Sequence, residues 1–295
     1  MNLAFAVLEI TAPVFVLGLA GFVWVRGGFD YPTQFVTRLA MTLAVPCLIF
    51  TALVNADIEP SALAALSFAS VLCYALATAA AFAVVRLFRL DMRAYLAPLT
   101  FGNTGNLGLP LALFAFGDTG LGLAIVVFAV MAIIMFTAGL WMVAGVQNPL
   151  RVLKEPILWA SILGVLALIV GWQPPTVALN ALTLVGQMGI PLMLLTLGAA
   201  VARLKPARVL TALGLSAIKL SVGLAAGIGV GLAVGLSGVP LAVLILQMAT
   251  PVGVTSYLMA ERYQTDPDAS ASLVVTSTLL AIIALPVTLS FLLPG

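Results

Sequence analysis

The chain of 295 residues contains no histidine, only two cysteines and few charges of either sign, with Asp, Glu, Lys and Arg together making 7% of it. Without histidine it lacks the commonest general base and the commonest metal ligand. Cys47 and Cys73 stand far apart in apolar runs, so there is no CxxC pair and no disulfide framework, and both read as small buried hydrophobes. With no paired aspartates in a helix and no nucleophilic cysteine context either, an intramembrane enzyme is not expected, nor is a metal or cofactor. The net charge of +2 gives no case for nucleic-acid binding. Soluble domains carry roughly 25% charged residues. At 63% hydrophobic and a mean hydropathy of +1.24, the chain reads as an all-α integral membrane protein in contact with lipid.

Windows of roughly 20 apolar residues mark spanning helices. Ten are expected, at 4–25, 34–54, 62–87, 95–115, 120–146, 156–172, 179–201, 208–236, 240–261 and 270–292. The first basic residue, Arg26, follows an apolar run of membrane length, so a cleavable signal, which needs a positive start, is not expected. The longest polar connection, Gln147 to Glu155 with Asn148-Pro149, is the natural seam between two five-helix halves. Ten spans sort Arg26, Arg38, Arg86, Arg89, Arg93, Arg151, Lys154, Arg203, Lys205, Arg208 and Arg262 to one side. The other side has no Lys or Arg and holds Glu9, Asp57, Glu59 and Asp118. By the positive-inside rule the basic side is cytoplasmic and both termini are outside.

An odd number of helices per half forces the second half to enter upside down. Leu39-Ala-Met-Thr-Leu-Ala-Val-Pro46 parallels Leu184-Val-Gly-Gln-Met-Gly-Ile-Pro191, and a further proline follows each stretch, Pro60 and Pro206. The expected fold is therefore two inverted five-helix repeats.

Two stretches break the apolar pattern. Leu99-Thr-Phe-Gly-Asn-Thr-Gly-Asn-Leu-Gly-Leu-Pro110 packs amides, hydroxyls, glycines and a proline into the fourth window. Gln247-Met-Ala-Thr-Pro-Val-Gly-Val-Thr-Ser256 does the same in the ninth, roughly half the chain downstream. Irregular backbone at membrane depth is tolerated only where protein buries it or it lines a watery cavity. Paired interruptions in matching positions of two halves point to a transport site. Each break exposes the positive start of a half-helix, which favours an anion. Asn103 and Asn106 can add amide donors, and Thr250, Thr255 and Ser256 hydroxyls. No acidic residue lies within either break, so a small carboxylate suits the inventory better than a cation. The candidate binding set is Asn103, Thr104, Asn106, Thr250, Pro251, Val252, Gly253 and Thr255.

Lys219 is the one basic residue away from a membrane surface. It lies eleven residues past Arg208, hence ~16 Å along the eighth helix. A charge near the midplane costs at least roughly 2.5–3.5 kcal/mol and marks function by default. Gly223, Gly227, Gly231 and Gly235 follow at steps of four, a stripe that permits close helix packing. Lys219 should thus face protein, either as a structural counter-ion or cation substitute at the crossing, or as a group that titrates or attracts substrate. Glu9 reads as interfacial. Gln187 and Gln247 read as deeper amides, Gln247 one turn before the second break. Asp118, Asp266 and Asp268 read as loop or cap residues.

Gly102-Asn-Thr-Gly-Asn-Leu-Gly-Leu-Pro110 resembles the auxin efflux carrier family, which includes bacterial malate/malonate-type permeases and plant PIN carriers. So do Thr250-Pro-Val-Gly-Val-Thr-Ser-Tyr-Leu-Met-Ala-Glu-Arg-Tyr263, Ser277-Thr-Leu-Leu and Leu285-Pro286. The resemblance implies a homodimer working by an elevator motion. Scaffold and dimer contact would come from helices 1 and 2 (1–60) and 6 and 7 (156–206). The moving domain would come from helices 3–5 (61–146) and 8–10 (207–295), with 147–155 as cytoplasmic linker and helices 4 and 9 crossing at the site. It maps the crossover asparagine to Asn103 and the ninth-helix proline to Pro251. Gly102 stands where the plant carriers have a proline, and their long central loop is lacking, so auxin itself is not implied. The expected function is secondary transport of a small organic anion across an inner membrane. The alternatives are a sodium-coupled carrier like the sodium/bile-acid symporters, although neither break offers a carboxylate to hold a cation, and a sensor of the same fold that binds without turnover.

Overall fold

The structure, a computed structural model, describes residues 3–55, 59–144 and 153–293. Asp57, Arg151 and the Asn148-Pro149 seam lie outside the described residues. Within them the chain is helical throughout, with one isolated bridge between extended residues, Gly102 and Val252.

In chain order the helices are α1 (Leu3–Arg26), α2 (Thr33–Leu39), α3 (Val45–Asn55), α4 (Pro60–Leu87), α5 (Met92–Thr100), α6 (Leu109–Ile134) and α7 (Leu140–Ala144). After the seam come α8 (Pro156–Val170), α9 (Thr176–Gly186), α10 (Gly189–Arg203), α11 (Val209–Ala233), α12 (Gly238–Met248), α13 (Val254–Arg262) and α14 (Pro267–Leu292). Single π turns at Ala40–Ala44, Thr104–Gly108 and Met135–Gly139 join α2 to α3, lead into α6 and join α6 to α7. Such turns inside helices gather at functional sites and bends.

Among the described residues, seven stretches are long and apolar enough to cross a membrane: Phe5–Arg26, Thr33–Asn55, Ser61–Leu87, Thr104–Val143, Thr176–Arg203, Val209–Ala233 and Pro267–Leu292. Pro156–Val170 and Gly238–Met248 are apolar but shorter. The fourth expected window is divided into α5 and the start of α6, whose run continues into the fifth, the ninth is divided into α12 and α13, and the sixth forms only the short α8. Thr104–Val143 exceeds one crossing, and it bends at Gly117, whose φ of 64° and ψ of −156° interrupt α6. That region is essentially restricted to glycine.

The outer surface is that of an integral membrane protein. Phe5, Leu19, Phe68, Leu76, Leu163, Ile169, Leu232 and Ile283 are large apolar side chains left exposed on the apolar helices. All four tryptophans, Trp24, Trp141, Trp159 and Trp172, are exposed within a few residues of a helix end. Trp24 and Trp159 donate their indole N–H to the backbone carbonyls of Asp30 and Leu153, outside the named helices. Tryptophan prefers this level, where ring and N–H meet apolar and polar surroundings together.

Two groups of helices pack within themselves. In the first, α1 lies along α10, and α3 along α8 and α9. Glycines set the approach: Gly21 abuts the Leu195 backbone and Gly198 the Gly18 carbonyl, while Gly164 meets Leu53 and Gly186 meets the Leu48 backbone. In the second, α11 packs on α4, α12 and α14, and α4 on α5 and α6. Gly223, Gly227 and Gly231 all face α12, against the Met248 carbonyl, Ile245 and Leu241, so three quarters of the expected stripe is a packing seam. Gly235 instead has φ 83° and lies just past the end of α11.

Candidate functional site

The two interrupted segments meet. Phe101 leaves α5 in extended conformation, and Gly102 pairs antiparallel with Val252. The Asn103 backbone N–H donates to the Pro251 carbonyl at 2.7 Å. The Asn103 carbonyl in turn accepts from Leu107 N at 3.1 Å and Gly108 N at 3.2 Å, which opens the π turn. On the other strand Gly253, extended at φ −69° and ψ 139°, precedes α13. Two half-helices therefore begin at the bridge, at Thr104 and Val254, and two end there, α5 and α12. The first N–H groups of a helix have no partner within it, so both starts present donors and partial positive charge here.

Glycine makes the approach close enough. A Cβ on Gly102 would overlap the Thr250 hydroxyl, and one on Gly108 would overlap the Gln247 amide. The Gly253 Cα faces the Gly102 carbonyl.

Behind the bridge, residues 250–252 are held by two other helices. Lys219 on α11 is buried, at 7% exposure, and its ammonium donates to the Thr250 carbonyl at 2.9 Å. Val252 N–H donates to Ser277 Oγ on α14 at 2.9 Å. The Thr250 hydroxyl donates to the Gln247 carbonyl at 2.7 Å, capping the end of α12.

Several polar side chains at the crossing are buried without a protein partner: Asn103 Nδ2, Thr104 Oγ1, both amide atoms of Gln247, and Ser256 Oγ. Buried polar atoms are normally satisfied, and each exception asks for a water, an ion or a function. Asn106 and Thr255 are half-buried. The structure thus draws Asn103, Thr104, Thr250, Pro251, Val252 and Gly253 into contact at one bridge, with Gln247 and Lys219 beside it. Thr255 is turned toward a cavity. Gln187 is apart from the crossing, exposed, and so are Glu9 and Asp118. Asp266 caps α14 through Ala269 N and pairs with Arg208 at 3.1 Å.

Cavities lie among these helices. One of about 450 Å³ is lined by Lys154, Glu155, Thr255, Met259 and Arg262. Another, of about 460 Å³, lies between the start of α2, the end of α10 and α13, near Arg38, Arg203 and Glu261. A third, of about 450 Å³, sits at the far end of the same α2–α3 segment, lined by Thr51, Asn55, Asp118, Thr183 and Gln187. The first two carry basic side chains; the third carries none.

A family model described as membrane transport protein matches the chain in two stretches, residues 6–152 and 146–289. This chain belongs to the auxin efflux carrier family. An uncharacterised transporter of Methanothermobacter thermautotrophicus is 27% identical to this carrier-family chain over 94% of its length and 96% of the relative's. The match at 146–289 contains α12 and α13, and that at 6–152 contains α5 and α6, so the family's two matched stretches each hold one of the breaks.

Sequence reasoning missed Ser277 as a member of this site and Gly108 as the seat of the Gln247 amide. A serine in an apolar helix ordinarily bonds the carbonyl of an earlier turn, as Ser70 and Ser161 do here. Nothing in residue type separates Ser277 from them.

Proposed function

We propose that this chain is a secondary transporter whose crossing of two broken helices binds a small organic anion, a carboxylate. The observation that carries the reading is the donor set: the buried, unpartnered Asn103 amide nitrogen beside two half-helix starts, with no carboxylate in either break. A carboxylate would satisfy those donors at the two half-helix starts. The hydroxyls of Thr104 and Ser256 add further capacity.

In this reading the chain crosses the inner membrane ten times as two inverted five-helix repeats, with both termini on the non-cytoplasmic side. Segments 1–60 and 156–206 form the scaffold and the contact of a homodimer. Segments 61–146 and 207–295 form the body that carries the site, and 147–155 links the halves on the cytoplasmic face. The pairing of α1 with α10 and of α3 with α8 supports the division, because first-with-seventh and second-with-sixth crossings are what an inverted repeat would make. Cavities at both ends of the α2–α3 segment, where it borders the other group of helices, suit an elevator movement that exposes the crossing to each side in turn.

The test is a thermal-shift series of carboxylates, with and without sodium, on purified protein, followed by counterflow of labelled malate in proteoliposomes. Stabilisation by a carboxylate without sodium, with counterflow, supports the reading. Stabilisation only with sodium points to a sodium-coupled carrier, and binding without flux to a sensor.

A further inference from the structure

The hydrogen bond from Lys219 to the Thr250 carbonyl has a second aspect, apart from substrate. Lys219 is a buried charge, and among the described residues no carboxylate lies within ion-pair distance of it. An isolated ammonium in such surroundings is costly unless something compensates it. What it faces is the Thr250 carbonyl, two residues past the C-terminal end of α12 at Met248. The end of a helix carries partial negative charge, and a cation there is favourable. α11 reaches that end because Gly223, one turn beyond Lys219, sits directly against the Met248 carbonyl. A void of about 10 Å³, room for about one water, adjoins the ammonium and is lined by Ser216, Thr250 and Ser277.

We propose that Lys219 serves as a covalently tethered monovalent cation that holds the second break in place. Its ammonium occupies the position, between a half-helix end and two hydroxyl-bearing helices, in which a free cation would otherwise be coordinated by carbonyl and hydroxyl oxygens. The substituted segment would be residues 250–252, which Lys219 and Ser277 hold from behind while Gly102 and Asn103 pair with it from the front. Lys219 is thus a positioning residue, acting through Thr250. The inference rests on the crossing being the working site, but its test reads stability and cation dependence, so it can fail while anion binding stands.

The experiment is chemical rescue of Lys219→Ala in detergent, read as melting temperature. The deletion removes three methylene groups and the ammonium, which n-propylammonium replaces in shape and charge, while n-propanol replaces the shape with no charge. The variant is expected to melt roughly 5 °C or more below the parent, and to regain much of that with n-propylammonium or sodium but not with n-propanol or choline. The parent should respond to none of them. Equal rescue by n-propanol would show that packing alone is involved and overturn the proposal, as would a loss that no small cation restores. If Lys219→Ala does not accumulate, Lys219→Arg and Lys219→Met decide: Arg should keep most of the parent's melting temperature and Met should not. A Met variant as stable as the parent overturns the proposal.

Discussion

Gly102 and Thr250 touch so closely that a methyl group on Gly102 would overlap the Thr250 hydroxyl. The hydroxyl cannot swing away without releasing the Gln247 carbonyl that it caps. Gly102→Ala is therefore expected to cost about 1–3 kcal/mol through overpacking and to separate the strands that pair at Val252. Melting temperature and membrane abundance read the loss; a variant as stable as the parent would mean the crossing is looser than described.

Ser277→Ala leaves the buried Val252 N–H without an acceptor. An orphaned buried donor costs about 1–3 kcal/mol. Ser70→Ala is the control, because its hydroxyl bonds only the Leu66 carbonyl of its own helix. The melting temperature should fall clearly for the first and little for the second. Similar shifts would remove Ser277 from the account of the site.

Asn103→Ala deletes a buried amide nitrogen that has no protein partner, while the backbone bonds to Pro251 and Leu107 remain. The fold should therefore survive and carboxylate binding should be lost. Calorimetric titration with the carboxylate that stabilises the parent makes the comparison. Unchanged affinity would refute the donor assignment.

Glu155 immediately precedes α8 and lines the cavity next to Lys154, and partial burial raises its carboxyl above the ordinary range. A carboxyl whose pKa is higher in the folded state binds its proton more tightly there. That stabilisation is present below the unfolded value of about 4.3 and is lost as pH rises through the folded value. Glu155→Gln should therefore melt higher than the parent at neutral pH, with the gap closing toward about pH 4. Equal melting at neutral pH would exclude the effect.

Much of this was legible because polar residues in hydrocarbon are costly and so stand out. Asn103, Asn106, Thr250 and Lys219 are conspicuous for that reason alone, and the glycine stripe after Lys219 correctly indicated a packed face. The partnerships were not legible. That Lys219 meets the Thr250 carbonyl depends on how α11 lies along α12, which no local pattern encodes. The π turns were equally hidden, since Thr104–Gly108 takes its form from a carbonyl shared by Leu107 and Gly108. Window counting also set the fourth and ninth segments at full length, whereas their irregular centres shorten every regular piece.

The bend at Gly117 has a consequence for parity. In the proposed ten-crossing arrangement it alone separates the fourth passage from the fifth, within a helical run that is otherwise uninterrupted from Leu109 to Ile134. A bulkier residue there would favour one continuous rod, and every passage after it would then be threaded with reversed polarity. Lys154, Arg203 and Arg262 would be carried away from the face that the proposed arrangement gives them, by a single backbone torsion far from any of them.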